Sequence, residues 1–166
     1  MIKTLSAFVA VSLLALTGCT PAAVGRPPAG QRPAAEAPPC VPAPGLAAAA
    51  SFSPALDAVR TAAARDLLSR IASCQPLPFS HDGIIFGNRE GRLPQMPRGH
   101  YKEYTLVIPG SREGDRPVAI SVGTMTLTTG ETFSARGPER LVIGGGKDIY
   151  YTPDHYLNFV QLQARP

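Results

Sequence analysis

The chain has 166 residues, 44% of them hydrophobic, with 18 prolines, 16 glycines, three cysteines and a formal charge of +4. That length accommodates one compact domain with appendages, and the mild basic excess suits a polyanionic ligand or an anionic surface. The sequence contains no Cys/His metal spacing, Walker loop or Gly-x-Ser-x-Gly elbow, so nothing in it implies a metal or a cofactor.

The N-terminus reads as a secretory signal. Lys3 supplies the positive end, and residues 5–16 form an apolar run that falls short of the roughly 20 residues a membrane-spanning helix needs. The run ends in Leu16-Thr17-Gly18-Cys19, which is similar to a bacterial lipobox. Residues 1–18 are therefore expected to be a lipoprotein signal peptide and Cys19 the lipidation site. Several acyl chains on one cysteine would hold the protein stably on a lipid membrane. Thr20, where an Asp would retain the protein at the inner membrane, favours an extracytoplasmic outer-membrane location by the same resemblance. Residues 19–46, rich in Pro and Ala, have no apolar periodicity and are expected to be an extended tether. The folded domain is then residues 47–166. Cys40 and Cys74 remain as a candidate disulfide, consistent with an oxidising compartment.

Ser53-Pro54 offers a helix N-cap followed by proline at the first helical position. The spacing of Leu56, Val59, Ala63, Leu67 and Ile71 predicts one helix reaching about Ser73. Strand-like runs follow at Ile84-Ile85-Phe86, at residues 104–108, at Leu141 to Ile143, at residues 149–152 and at residues 157–162. Alternating Val118, Ile120 and Val122, with a Thr-Thr-Gly-Glu turn at 128–131, predict an extra β-hairpin at about 117–135. The plan is α+β: one helix packed on one face of an antiparallel sheet, the other face left for a ligand.

Four segments carry chemistry-bearing residues: Asp82 to Glu90 (Asp-Gly-Ile-Ile-Phe-Gly-Asn-Arg-Glu) with Leu93-Pro94 behind it; Tyr101-Lys102-Glu103-Tyr104-Thr105; Arg136-Gly137-Pro138-Glu139-Arg140; and Tyr150-Tyr151-Thr152-Pro153-Asp154-His155-Tyr156. Together they resemble the barnase-type family of bacterial extracellular guanyl-specific ribonucleases, in its small streptomycete-like branch. The likeness runs through residues 71–110 and resumes over 136–162. It implies the microbial ribonuclease fold and metal-independent cleavage of single-stranded RNA through a 2′,3′-cyclic phosphate.

The chemistry fits the residue types. RNA carries its own nucleophile in the 2′-OH, so cleavage needs a base, an acid and cations on the phosphate. The resemblance makes Glu103 the general base, His155 the general acid, and Arg140 and Arg136 the phosphate clamp, with Arg89 a further cation. It gives guanine to the Glu90 carboxylate and to main-chain groups of Phe86, Gly87, Asn88 and Arg89, with Tyr156 stacking on the base or packing on the sheet. A carboxylate suits guanine because it accepts from N1–H and the 2-amine at once. The bland readings are a surface strand carboxylate paired with Lys102 or an arginine for Glu103, and arginines paired with Glu139. His81 and His100 lack motif support, and Asp82, Tyr150 and Tyr151 read as structural.

The insertion at about 111–135 departs from the family and puts Arg112 and Arg116 in competition with Arg136. Other readings are a non-catalytic RNA-binding lipoprotein and a structural envelope lipoprotein. A small acidic barstar-like inhibitor is a partner the resemblance allows.

Overall fold

A computed structural model of the protein describes Cys40 and residues 42–166. The expected signal peptide, the lipidation site Cys19 and the greater part of the expected tether lie outside the described residues.

The elements in chain order are α1 (Pro44–Ala47), β1 (Ser51–Ser53), α2 (Ala58–Ala72), β2 (Ile84–Ile85), β3 (Tyr101–Thr105), β4 (Ala119–Val122), β5 (Met125–Thr128), β6 (Arg140–Gly144), β7 (Asp148–Thr152) and β8 (Val160–Arg165). Six strands form one antiparallel sheet in the order β1-β8-β7-β6-β3-β2, and β4 and β5 form a separate two-stranded ribbon. The α+β expectation holds.

The helix starts later than Ser53-Pro54 predicts. Ser53 ends β1, paired with Gln163 of β8, and the chain turns at Pro54. Leu56 is buried beside the ribbon, bridged to Val122. Asp57 is the true cap: its carboxylate accepts from the Arg60 N–H at 2.9 Å, satisfying one of the donors a helix start leaves open. The buried stripe of α2 is Ala64, Leu67, Leu68, Ile71 and Ala72. Val59, expected on that face, is exposed.

This stripe meets the Tyr104, Leu141, Ile143, Ile149, Tyr151 and Leu162 side chains, and Ile120 and Val122 of the ribbon join the same core. Burying each large apolar chain there contributes roughly 1.5–3 kcal/mol. A second, smaller core of Leu93, Tyr101, Val142 and Tyr150 lies on the other sheet face. Linking helix to sheet, the Arg60 guanidinium donates to both oxygens of Glu139 (2.7 and 2.9 Å), and the Tyr151 hydroxyl donates to the same carboxylate.

The folded part reaches further toward the N-terminus than the expected boundary at 47. Leu46 in α1 is buried, Ala43 N–H donates to Ala72 C=O at 3.3 Å, and Cys40 is disulfide-bonded to Cys74 with Cα atoms 5.7 Å apart. These contacts belong to residues the composition assigns to the tether.

The ribbon turns at Gly123-Thr124, between the paired Val122 and Met125, and not at 128–131. Gly123 has φ +60°, and a Cβ there would fall 2.7 Å from the Pro54 side chain. The Thr-Thr-Gly-Glu stretch instead leads the chain away from the ribbon. Its Gly130 N–H donates to Pro153 C=O at 2.9 Å.

Candidate active site

Strand alternation sets one face of the sheet. In β3, Tyr104 points to the helix, so Tyr101, Glu103 and Thr105 point away from it. The register then lines Thr105, Arg140 and Thr152 across three strands, with Glu103, Val142 and Tyr150 in the next row. Glu103 and Arg140, 37 positions apart in sequence, thus share a face because β3 and β6 are hydrogen-bonded neighbours.

Glu103 is 9% exposed. Its Oε2 accepts from the Tyr156 hydroxyl at 2.7 Å, and its Oε1 lies 3.8 Å from Nη2 of Arg136. Burial, then the hydrogen bond to Glu103 and that carboxylate's charge, pushes the Tyr156 phenol up to about 12, against the pull of Arg140. Tyr156 therefore remains a donor to Glu103 at any neutral pH.

Arg136 is held from behind. Its Nε donates to Thr105 Oγ1 at 2.9 Å, its Nη2 sits 3.5 Å from Asp82 Oδ1, and its guanidinium carbon lies 5.8 Å from the centre of the Phe79 ring. Asp82 in turn accepts from the Thr105 N–H and hydroxyl. Arg140 is buried, and its Nη1 donates to the carbonyls of Arg136, Gly137 and Glu139. Burial and the neighbouring Arg136 charge lower its pKa, although Tyr156 and Glu103 offset part of that. Arg136 Nη2 and Arg140 Nε are buried with no hydrogen-bond partner among the described residues. Arg136 Nη2 is nonetheless paired in charge with Asp82 and Glu103, so Arg140 Nε is the buried cationic donor that an incoming anion would satisfy.

His155 and Tyr156 both have positive φ (52° and 72°), a sparsely populated state for residues with side chains. Their loop is fixed locally. The Tyr156 N–H donates to Thr152 Oγ1, and Asp154 accepts from the Thr152 hydroxyl and from Asn158. Nε2 of His155 is 3.3 Å from the Glu131 carbonyl oxygen.

Beside this cluster lies a groove of about 840 Å³, walled by residues 85–90, Arg92, residues 95–98 and Tyr101 on one side and residues 155–157 on the other. Asn88, at φ +44° and buried, shapes the first wall: its side chain donates to Leu93 C=O and accepts from Leu93 N–H. Gly87, Arg89 and Glu90 are exposed along the groove. The Phe86 ring sits 5.1 Å from that of Tyr156, so Tyr156 touches both the groove wall and Glu103.

The fold thus brings Glu103, Arg136, Arg140 and Tyr156 together, with His155 beside Tyr156 at the groove edge and residues 86–90 on its other wall. Glu139, the alternative partner for the arginines, faces Arg60 and Tyr151 instead. Arg112 and Arg116 remain exposed in the loop before the ribbon. His81 is exposed in a turn, and His100 packs edge-on against Tyr101 at 4.7 Å. Phe79 and Phe133 escaped the sequence reading, Thr105 and residues 129–131 entered it only as part of a strand motif and a turn, and Asp82, read as structural, holds Arg136. Of these, Thr105 alone left a signal of a place in the site, two positions from Glu103 in the same strand. Among the described residues no group of three or more His, Cys, Asp or Glu is gathered tightly enough to hold a metal ion, and no helix is long and apolar enough to cross a membrane.

Comparison with known proteins gives the family. The family model described as ribonuclease matches residues 47–163, and the chain belongs to that family of RNA-cleaving enzymes. Among curated relatives it is 38% identical to guanyl-specific ribonuclease Sa of Kitasatospora aureofaciens over 96 residues, 58% of this chain and 78% of the relative. Guanyl-specific ribonuclease St of Saccharopolyspora erythraea is 33% identical over 96 residues, 58% of this chain and 73% of the relative. Among solved structures, ribonuclease Sa2 with guanosine-2′-cyclophosphate is 34% identical and superimposes with a TM-score of 0.46, covering 64% of this chain and 94% of that one.

Proposed function

We propose that the protein is a guanyl-preferring endoribonuclease that cleaves single-stranded RNA on the 3′ side of guanosine, through a 2′,3′-cyclic phosphate. The observation carrying this reading is that Arg136 and the buried Arg140 lie with the Glu103 carboxylate on one sheet face, next to the groove walled by residues 85–90.

In this mechanism Glu103 takes the proton of the ribose 2′-OH as that oxygen attacks phosphorus. Arg136 and Arg140 meet the negative charge that builds on the phosphoryl oxygens, where preformed donors are most effective. His155 gives a proton to the departing 5′-oxygen. Hydrolysis of the cyclic phosphate runs the roles in reverse, with His155 activating water and Glu103 returning the proton. Tyr156 positions Glu103 by its hydrogen bond. Glu90 and the main chain of residues 86–89 hold guanine, a role supported by the guanyl-specific names of the relatives.

Location is part of the same proposal: signal peptide at 1–18, acylation at Cys19, and a tether holding the enzyme off the outer membrane. The Cys40–Cys74 disulfide supports an extracytoplasmic setting, since such bonds persist where the environment is oxidising. Labelled palmitate incorporated by the wild type and lost in Cys19→Ala would support the anchor; equal labelling of both would remove it.

The test of activity uses oligoribonucleotides carrying a single G, in EDTA, with product ends identified by mass spectrometry. Cleavage after G leaving a cyclic phosphate is the expected result. Intact RNA with folded protein, or cleavage without base preference, would refute the reading.

A further inference from the structure

The insertion does more than add a ribbon. After β5 the chain crosses to the His155 loop and is tied down at each step. Thr129 N–H donates to Val118 C=O, Gly130 N–H to Pro153 C=O, and Thr132 both donates to Asp115 C=O and accepts from the Gly114 N–H. The approach is so close that a Cβ on Gly130 would lie 2.8 Å from Pro138 Cβ and 3.1 Å from His155 Cδ2.

Next along this strap is Phe133, 67% exposed, the most exposed large hydrophobic side chain among the described residues. Its ring stacks on that of His155, with centroids 5.9 Å apart and planes 30° from parallel. Three residues later the chain delivers Arg136. The exposed ring is therefore fixed between Thr132, which is buried, and an arginine of the site. It does not wall the groove assigned to guanine, whereas His155 does.

We propose that Phe133 is a stacking platform for the nucleobase on the 3′ side of the scissile phosphodiester, the base of the leaving nucleoside. The inference rests on the role assigned to His155 above. If His155 protonates the departing 5′-oxygen, the nucleoside bearing that oxygen lies by the imidazole on the side away from guanine. An exposed aromatic face held there has the chemistry to stack on a base. Phenylalanine offers no polar group, so it would prefer purines for their larger π-face without reading their edges.

A buttress for His155 is the competing role, and the two reactions of the enzyme separate them. Transesterification of GpA has a leaving base to stack; hydrolysis of guanosine 2′,3′-cyclic phosphate has none, yet uses the same histidine. Both are measured on wild type, Phe133→Ala and Phe133→Trp. The expected result is that Phe133→Ala lowers the ratio of kcat/KM for GpA to that for the cyclic phosphate by roughly tenfold. It also erases any preference for GpA over GpC, and Phe133→Trp restores both. Equal losses in the two reactions would overturn the proposal in favour of a buttress, and an unchanged ratio with unchanged rates would overturn it outright. Wild-type protein inactive on both substrates would overturn the ribonuclease reading itself and the subsite with it.

Discussion

Replacing Glu103 by glutamine removes the proposed proton acceptor while keeping its shape. The amide oxygen can still accept from Tyr156, so the 2.7 Å hydrogen bond survives. What disappears is the negative charge 3.8 Å from Arg136. Two unit charges near 4 Å attract by ~4 kcal/mol at an effective dielectric of 20. Much of that only offsets their desolvation, so the net loss of stability should be about 1–2 kcal/mol. Loss of a general base lowers kcat by roughly 10²–10⁴-fold, which is about 2.7–5.4 kcal/mol of barrier. Binding of guanosine 3′-monophosphate should hold or tighten, because a carboxylate that repels the phosphate is gone. Urea unfolding gives the first quantity, steady-state cleavage of a guanosine dinucleotide the second, and calorimetric titration the third. A folded variant keeping most of its kcat would refute the assignment. A parallel collapse of kcat and nucleotide affinity would show that Glu103 organises the arginines and does not take the proton.

Three further outcomes follow from the same contacts. Arg60→Ala strands the Glu139 carboxylate, whose side chain is 4% exposed, and should cost about 3–5 kcal/mol; Arg60→Met with Glu139→Leu should cost less than the single change in urea unfolding, and a larger loss in the double variant would contradict this. Replacing Cys40 and Cys74 by serine opens a closure spanning 34 positions, and chain entropy predicts a loss of roughly 3.5–4 kcal/mol; a urea midpoint within error of wild type would show the bond to be dispensable. The Tyr156 phenol stands near 12 in the folded protein, whereas a free tyrosine ionises at about 10. The unfolded chain therefore gives up this proton first, so the stability it contributes is complete below pH 10 and lost as pH rises through about 12. The urea midpoint should fall across that window, and fall less in Tyr156→Phe; an equal fall in both would place the effect on other tyrosines such as Tyr151, which burial also pushes up.

Local pattern determined what depends on near neighbours. Runs of β-branched and aromatic residues announced the strands from β2 onward, two-residue alternation announced the ribbon, and the helical stretch up to Ser73 was legible from its spacing. The four quoted segments named every residue of the central cluster, because those motifs are contiguous in sequence. The helix start was misread because Ser53-Pro54 is a good cap in isolation. Pairing of Ser53 with Gln163 of β8 draws those residues into the sheet and leaves capping to Asp57. Leu46 and Cys40 sit in a Pro/Ala-rich stretch that composition marks as extended, yet contact with α2 and the bond to Cys74 fold them in. Tertiary structure alone decided which partners the charges take. Arg136 finds Thr105 and Asp82, Glu139 finds Arg60 across 79 positions, and Phe133 comes to rest on His155. Sequence spacing carries no record of such pairs, since strand register and the path of the 129–133 strap set them, and both exist only once the sheet has closed.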